Sequence, residues 1–182
     1  MKKNKKNVNA VAAPANRWPL TWWFVLAGVM FLAYLPAFFA PFYFDDFPRI
    51  VDNPFVKSFF YLRFLWIDDP SRFLTNVTFA MNYAQGRLNP AGYHVFSLIL
   101  HGCVGVAYYF FLKFVLLRTK FLERFTSEEK KQLMFWAVSL FLVHPLQASA
   151  ATYVAQRSTL LASLFYIWTL NCYLRFRQDH KK

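Results

Sequence analysis

The chain has 182 residues, of which 57% are hydrophobic and 21% aromatic, and its formal net charge is +12. An ordinary soluble domain is far less aromatic, so the composition favours a membrane protein. The basic residues flank apolar stretches and do not form one continuous soluble face, which argues against a nucleic-acid-binding protein and predicts no nucleic acid partner.

The first long apolar stretch carries no charged residue from Trp18 to Phe44. Its central part has about the twenty residues that a helix needs to cross a hydrocarbon core of roughly 30 Å. A basic tail, residues 1–17, precedes it, and no small-residue cleavage site follows it. The pattern therefore predicts an uncleaved transmembrane anchor over residues 18–39.

Three more spans are predicted further along the chain. Residues 92–112 lie in a second uncharged stretch, and residues 158–174 form another apolar segment. The third span of the four, residues 127–143, begins where Thr126 and Glu129 have the spacing of a capping box. We expect an all-α, polytopic membrane protein with about four transmembrane helices.

Basic residues outside the apolar stretches are concentrated in three segments, 1–17, 113–126 and 175–182. Because basic flanking segments stay on the cytoplasmic side of a membrane, both termini are expected to be cytoplasmic. The intervening segments, residues 40–91 and 144–157, are then expected to lie outside. We expect a multi-pass protein of a bacterial inner membrane.

The outer loop over residues 40–91 is too long for a simple connection and is rich in aromatic residues. Asn53 is a plausible cap for a helix over about residues 54–66. A second helix is predicted over about residues 72–85, with Gly86 as its stop. Because apolar side chains outnumber charged ones in these segments, both helices are expected to lie on the membrane surface.

Asp45 and Asp46 stand side by side where the chain leaves the first span. Two carboxylates near low-dielectric surroundings repel each other, a condition that suits a general base or a ligand of a hydroxyl group or metal ion. Solvation of a loop start at the membrane interface is the alternative. The pair is the candidate catalytic group.

The outer segment 144–157 is expected to face the same compartment as the acidic pair. It contributes His144, Gln147 and Gln156 as candidate site-lining residues. His94, near the outer end of the second span, is a further candidate. Either histidine could carry a proton, or could instead cap a helix end or fill a packing position.

Arg72 and Arg157 are the candidate ligands of an anionic phosphate on the outer side. The planar guanidinium group can donate hydrogen bonds to two phosphate oxygens at once. Anchoring of a loop or helix end at the membrane interface is the alternative for both residues.

Three stretches taken in series resemble a known family: FDDFPRIVDNPFVKS, RFLTNVTFAMNYAQGRLNPAGYHVFSLILH and FLVHPLQASAATYVAQRSTLLASLFYIWTL. Together they resemble the N-terminal membrane portion of the tetratricopeptide-repeat-containing O-mannosyltransferase-like proteins, members of the polytopic glycosyltransferase C superfamily. The resemblance covers roughly residues 39–174. It implies an enzyme that uses a polyprenyl-phosphate-linked sugar on the outer side of the membrane.

The same resemblance assigns the acidic motif of the family to Asp45 and Asp46, and the phosphate-facing role more loosely to Arg72 and Arg157. The sequence departs from the family at Phe73, where the family tends to have proline after the arginine. Members of the family are longer, with many more spans. The resemblance therefore implies either a protein partner or a missing C-terminal portion.

The leading hypothesis is a glycosyltransferase-type membrane module that transfers a sugar from a polyprenyl-phosphate donor to an acceptor hydroxyl. Membrane lipid and lipid-linked sugar are its expected ligands. The alternative is a non-catalytic membrane subunit or scaffold of a larger complex. No metal site or resident cofactor is assigned, and dependence on a divalent metal stays open.

Overall fold

The computed structural model describes residues 20–116 and 123–180. The basic tail at residues 1–17, part of the basic loop at residues 117–122 and the last two residues, 181–182, lie outside the described residues. The cytoplasmic orientation predicted from these basic segments therefore stays a prediction.

Within the described residues the chain forms seven α-helices, joined by turns and by one long loop after α1, and no β-strand. This confirms the all-α class. The helices are α1 (Thr21–Tyr34), α2 (Leu62–Asp68), α3 (Phe73–Gly86), α4 (Pro90–Leu116), α5 (Ser127–Val143), α6 (Ala148–Thr152) and α7 (Arg157–Asp179).

Two segments of the described chain are long and apolar enough to cross a membrane. They are Thr21–Phe39, which is α1 with its following 3₁₀ turn, and Pro90–Leu116, which is α4. There is a third candidate if two consecutive helical segments form one span. These segments are Ser127–Val143 and Pro145–Thr152, and the chain bends by 50° between them. The protein is a membrane protein with two or three candidate spans, fewer than the four predicted.

The predicted span over residues 158–174 lies in α7, which is not among these candidates. Helix α7 has 23 residues and is long enough to cross. It begins with Arg157 and ends with a charged turn that includes Arg175 and Arg177. Polar residues such as Asn171 also interrupt its apolar surface. Its lower apolarity separates α7 from the two clear spans.

Helices α1, α4, α5 and α7 pack side by side, and α7 runs along α4 over much of its length. The core between α1 and α5 contains Leu26 and Phe135. Gly105 of α4 allows α5 to approach closely, since a Cβ atom at this position would lie 2.6 Å from Cδ2 of Leu142. The outward faces expose many large apolar side chains, among them Phe24, Leu32, Trp136, Leu140 and Tyr166.

Helix α5 has both of its predicted ends. The capping box of Thr126 and Glu129 is present, with each residue bonded to the other's backbone N–H. The helix ends at Val143 because Pro145 has no N–H to continue it. The carbonyl of Leu142 is left free by this break and accepts two hydrogen bonds of 3.0 Å, from Tyr34 and from His101.

The long loop before α4 has a core of its own and packs against the bundle. Ile50, Val56 and Leu65 of the loop are fully buried together with Tyr93 of α4 and Val154. The loop is therefore a folded unit attached to one end of the bundle. We call this end, where α1 and α5 finish and α4 and α7 begin, the loop end.

The first predicted loop helix is shorter than expected, since Pro54–Lys57 and Phe59–Tyr61 are separate 3₁₀ turns before α2. Ser58 has an extended backbone, which breaks the helix, and its side chain caps the second turn. The second predicted helix closely matches α3. Asp69 caps the turn before it by accepting from the Arg72 N–H at 3.2 Å.

Candidate functional site

Asp46 lies at the loop end, in residues 40–46, which follow α1 and its 3₁₀ turn and which we call the turn after α1. Only 2% of its surface is exposed. Both of its carboxylate oxygens accept backbone hydrogen bonds. Oδ2 accepts from the N–H of Tyr43 at 3.0 Å, and Oδ1 accepts from the N–H of Ala155 at 2.7 Å. Asp46 therefore ties the turn after α1 to the short turn before α7.

Burial raises the pKa of Asp46 above its ordinary value of 3.8. The backbone hydrogen bonds from Tyr43 and Ala155 and the nearby His94 act in the opposite direction, because they favour the charged carboxylate. The neighbouring Asp45 adds a smaller upward shift by repulsion. Desolvation is the largest of these effects, so Asp46 holds its proton more tightly than a carboxyl group in water.

Asp45 is half-buried and has a different environment. Its backbone N–H donates a 2.8 Å hydrogen bond to the hydroxyl group of Tyr153. Within the described part of the chain, its carboxylate has no hydrogen-bond or salt-bridge partner. Of the two adjacent acids, Asp45 is therefore the one whose side chain is available to a ligand.

The residue before Asp45 has an uncommon backbone conformation. Phe44 has a φ of 48°, in the left-handed region that bulky residues rarely adopt. Such a conformation costs roughly 1–2 kcal/mol for a residue with a side chain. Two hydrogen bonds hold the residues that follow Phe44 in place. They join the Asp45 N–H to the Tyr153 hydroxyl and the Ala155 N–H to the Asp46 carboxylate.

A cavity of about 840 Å³ opens beside the acidic motif at the loop end. Its wall combines apolar residues of α1 with polar residues from the turn after α1, from α4 and from the segment between α5 and α7. A cavity of this size can hold a small-molecule group such as a sugar. The polar and aromatic residues that line it include Tyr34, Tyr43, Phe44, Asp46, His94, His144 and Tyr153.

Asp45 itself is not part of this lining, although both of its chain neighbours, Phe44 and Asp46, are. Its backbone is also bonded to Tyr153, another lining residue. Asp45 is therefore close to the cavity wall along the chain, but its own side chain is not part of the lining.

Both predicted histidines line this cavity. His94 is buried, and its Nε2 lies 3.3 Å from the carbonyl of Ala40, to which it donates. His144 caps the turn after α5, where its Nδ1 accepts the N–H of Leu146 at 3.2 Å. His144 therefore has the capping role that the sequence allows, together with a place in the cavity wall.

Arg157 is fully buried at the start of α7 and does not line the cavity. Its guanidinium group donates four hydrogen bonds, all to neutral acceptors of α3 and α4. The acceptors are Ser97 Oγ at 3.3 Å, Thr78 Oγ1 at 3.0 Å, Asn82 Oδ1 at 2.8 Å and the carbonyl of Tyr93 at 2.9 Å. Rings of Phe79 and Phe96 lie 4.7 and 4.6 Å from its central carbon.

Arg157 therefore joins the loop helix α3 to the bundle helices α4 and α7. Across the described ranges, no carboxylate lies within salt-bridge distance of it. Its charge is solvated by hydroxyl, amide and carbonyl oxygens and by ring faces. In this arrangement the guanidinium group has a structural task, and its donors are not presented to the cavity.

The remaining predicted site residues lie away from the cavity lining. Arg72 is partly exposed at the start of α3, and its Nε lies 3.8 Å from the carboxylate of Asp69. Gln156 is exposed and accepts a hydrogen bond from the Thr159 hydroxyl at 2.8 Å. Gln147 occupies the turn between α5 and α6, where its backbone N–H bonds to the His144 carbonyl at 2.9 Å.

Sequence reasoning missed the tyrosines of the cavity and the partners of Arg157. Tyr153 lies inside the candidate segment 144–157, but an aromatic residue next to a membrane gave no reason to single it out. Thr78 and Asn82 were visible as a polar pair four residues apart, hence on one face of α3. Such a pair on one helix face is a signal for a buried polar partner.

In the ranges 20–116 and 123–180, no three His, Cys, Asp or Glu side chains are grouped as a metal ion would require. The polar groups in and beside the cavity are instead two carboxylates, two imidazoles and phenol groups. Such groups can accept and donate protons and bind sugar hydroxyls. Taken together, the fold and the site define an all-helical membrane protein whose bundle has, at one end, a mainly apolar cavity with a few acidic, imidazole and phenol groups in its wall.

Comparison with known proteins narrows this class. The chain is 32% identical over 164 residues to human Protein O-mannosyl-transferase TMTC3, an alignment that covers 83% of the chain and 16% of that protein. It is 31% identical over 156 residues to mouse TMTC3, covering 79% and 16%. It is 28% identical over 180 residues to human Protein O-mannosyl-transferase TMTC4, covering 87% and 24%.

The chain is therefore a homologue of the TMTC O-mannosyl-transferases, which confirms the resemblance that its sequence motifs suggested. It spans only about a sixth to a quarter of the length of these relatives. No family model matches the chain. No solved structure matches it. The relatives are animal proteins, so the expected bacterial inner membrane finds no support among them.

Proposed function

We propose that this chain forms the acceptor-activating module of a membrane glycosyltransferase, which moves a sugar from a polyprenyl-phosphate donor to a hydroxyl group. The observation that carries the proposal is the contrast between two adjacent acids. Asp46 is buried and accepts two backbone hydrogen bonds, whereas the carboxylate of Asp45 has no partner among the described residues and Asp45 stands between two cavity-lining residues in the chain. The relatives' name supports mannose as the sugar.

In the proposed reaction, the oxygen of the acceptor hydroxyl attacks the anomeric carbon of the sugar. Asp45 accepts the proton that this hydroxyl group loses. The bond between that carbon and the phosphate oxygen breaks, and polyprenyl phosphate leaves with the bonding electrons. Positioned general bases of this kind contribute roughly 10²–10⁴-fold in rate. Asp46 is a positioning residue: its hydrogen bonds hold the turn that carries Asp45.

The donor phosphate needs a cation or hydrogen-bond donors near the cavity. Arg72 keeps a partly exposed guanidinium group and remains our candidate. We assign Arg157 to positioning instead, because its donors are engaged by Ser97, Thr78, Asn82 and Tyr93. His144, which lines the cavity and has one ring nitrogen left over from capping, is a further donor for the phosphate.

We place the loop end on the outer face of the membrane, with the opposite end of the bundle in the cytoplasm. Most of the basic residues belong to sequence segments next to that opposite end, as basic residues do on the cytoplasmic side. The donor's isoprenoid chain then stays in the bilayer beside α1 and α5, while its sugar enters the cavity.

One observation favours the second candidate function, a scaffold that binds a larger complex. The loop exposes a group of aromatic and apolar side chains around α2, with Phe60 83% exposed. Exposed apolar groups of this kind mark contact surfaces for a partner protein or a membrane. The group comprises Phe59, Phe60, Phe64, Trp66 and Ile67.

The test is a transfer assay with the natural full-length protein in membranes, using a polyprenyl-phosphate sugar donor. Asp45→Asn should lower the rate by about 10²-fold or more, since it removes the general base and leaves the turn in place. Asp52→Asn is the matched control, because Asp52 is an exposed acid of the same loop. Equal activity of wild type and Asp45→Asn at matched expression would favour the scaffold.

A further inference from the structure

A second cavity lies between the final turns of α4 and α7, at the end of the bundle opposite the acidic motif. Its volume is about 540 Å³. Two cations, Lys113 of α4 and Arg175 of α7, line it. The other lining residues are Phe110, Phe114, Trp168, Asn171, Cys172 and Gln178.

Each of the two cations follows a long uncharged stretch of the helix that carries it. Helix α4 has no Asp, Glu, Lys or Arg before Lys113, and α7 has none between Arg157 and Arg175. Charged side chains are costly inside a bilayer and collect at its surface. Because α4 is a candidate span and α7 packs along it, we place the cavity at the boundary between hydrocarbon and water.

The cavity is a fixed gap between two joined helices. Asn171 is buried one turn before Arg175, and its Nδ2 donates a hydrogen bond of 2.9 Å to the carbonyl of Ala107 on α4. This bond holds α7 against α4 where the cavity begins. The cations on the two helices are therefore presented to the same space without rearrangement of the bundle.

Lys113 and Arg175 have no acidic partner in the described part of the chain. The salt bridges there join Arg72 to Asp69 and Lys131 to Glu128. Two cations that face one cavity repel each other, and an anion between them removes this repulsion. The partial negative charge of a helix C-terminus, about half a unit for each helix, leaves a net attraction for an anion.

The apolar side of the cavity is aromatic. Phe110 lies one turn before Lys113, and Trp168 lies two turns before Arg175, both toward the middle of the bilayer. A ligand that fits must carry an anionic group at the water boundary and an apolar chain that extends into the hydrocarbon. This combination is the chemistry of a membrane phospholipid.

We propose that this cavity binds an anionic phospholipid, with Lys113 and Arg175 on its headgroup phosphate and with Phe110 and Trp168 along an acyl chain. The binding is independent of the proposed transferase activity, since the acidic motif lies at the other end of the bundle. A lipid bound there would strengthen the contact between α4 and α7.

The experiment measures binding of phosphatidylglycerol to the purified full chain by native mass spectrometry, with phosphatidylcholine as the neutral competitor. The double variant Lys113→Gln/Arg175→Gln should bind about 30-fold more weakly, the equivalent of about 2 kcal/mol at about 1 kcal/mol for each cation. The charge-conserving pair Lys113→Arg/Arg175→Lys should retain most of the binding.

The matched control is Lys130→Gln/Arg177→Gln, which removes the same charge at the same end of the bundle but outside the cavity. It should weaken binding by no more than about threefold. Equal weakening in both double variants would overturn the proposal, because it would show general attraction to the basic surface. Equal competition by soluble glycerol phosphate would also overturn it, because the acyl chain would then contribute nothing.

A second measurement uses the wild-type chain and does not depend on the folding of a variant. Phosphatidylglycerol with a photoactivatable group near its headgroup should crosslink to peptides that contain Phe114 or Cys172, which line the cavity. Crosslinks confined to other parts of the chain would contradict the assignment.

Discussion

The carboxylate of Asp46 accepts a 2.7 Å hydrogen bond from the backbone N–H of Ala155, which lies 109 positions further along the chain. This single bond joins the turn after α1 to the turn before α7. Asp46 lines the cavity, and the carboxylate of the neighbouring acid, Asp45, has no partner among the described residues. We therefore assign different tasks to the two adjacent acids.

Replacement of Asp46 by alanine should destabilise the protein. The backbone N–H groups of Tyr43 and Ala155 would lose their acceptor, and each buried unsatisfied donor costs roughly 1–3 kcal/mol. The measurement is thermal unfolding of the purified variant in detergent, with Asp52→Ala as the control. Unfolding of Asp46→Ala at the wild-type temperature would show that these bonds contribute little.

The stability contribution of Asp46 should depend on pH. Burial raises its pKa in the folded state above 3.8, so this contribution is fully present below pH 3.8 and is lost as the pH rises through the folded-state pKa. Wild type should therefore lose stability relative to Asp46→Asn between acidic and neutral pH. Parallel stability curves for the two proteins across this range would contradict the shift.

Arg157→Lys should destabilise the contact between α3, α4 and α7 even though it preserves the charge. An ammonium group cannot reproduce the planar set of bonds to Thr78, Asn82 and Tyr93. A hydrogen bond to a charged group contributes about 1.5–3 kcal/mol. Limited proteolysis of the loop and thermal unfolding measure the effect.

The control for this variant is Arg177→Lys, since Arg177 is exposed on the same helix. It should unfold as wild type does. If Arg157→Lys also matched wild type in both measurements, the buried guanidinium group would not hold the loop to the bundle.

Gly105→Ala should weaken the packing of α4 on α5. The added Cβ would lie 2.6 Å from Leu142 Cδ2, and overpacking of this kind typically costs about 1–3 kcal/mol. Gly28→Ala in α1 is the control, because a Cβ there meets no atom within 4 Å. A lowered unfolding temperature for Gly105→Ala alone is the expected result. Equal temperatures for both variants would show that Leu142 moves aside freely.

Much of the fold could be predicted because it depends on local signals. The uncharged stretch after Trp18, the capping box at Thr126 and the helix break before Pro145 each act over a few residues. The number of spans stays a prediction. Helix α7 is long enough but carries polar and charged residues that its packing against α4 accommodates.

The site was predicted in part, for a physical reason that Arg157 illustrates. Its position next to a predicted span is visible in the sequence, but its partners come from α3 and α4, between 60 and 79 residues away. No local pattern shows whether such a side chain faces a cavity or the interior. The same limit applies to Asp45 and Asp46, whose different environments depend on Tyr153 and Ala155.

The most direct test of catalysis by Asp45 compares Asp45→Ala with Asp46→Ala in two measurements, sugar transfer and thermal unfolding. We expect Asp45→Ala to unfold like wild type but to transfer sugar at least about 10²-fold more slowly. We expect Asp46→Ala to unfold at a clearly lower temperature, because two backbone donors lose their acceptor. Wild-type transfer by Asp45→Ala, or a loss of stability as large as that of Asp46→Ala, would contradict the assignment of catalysis to Asp45.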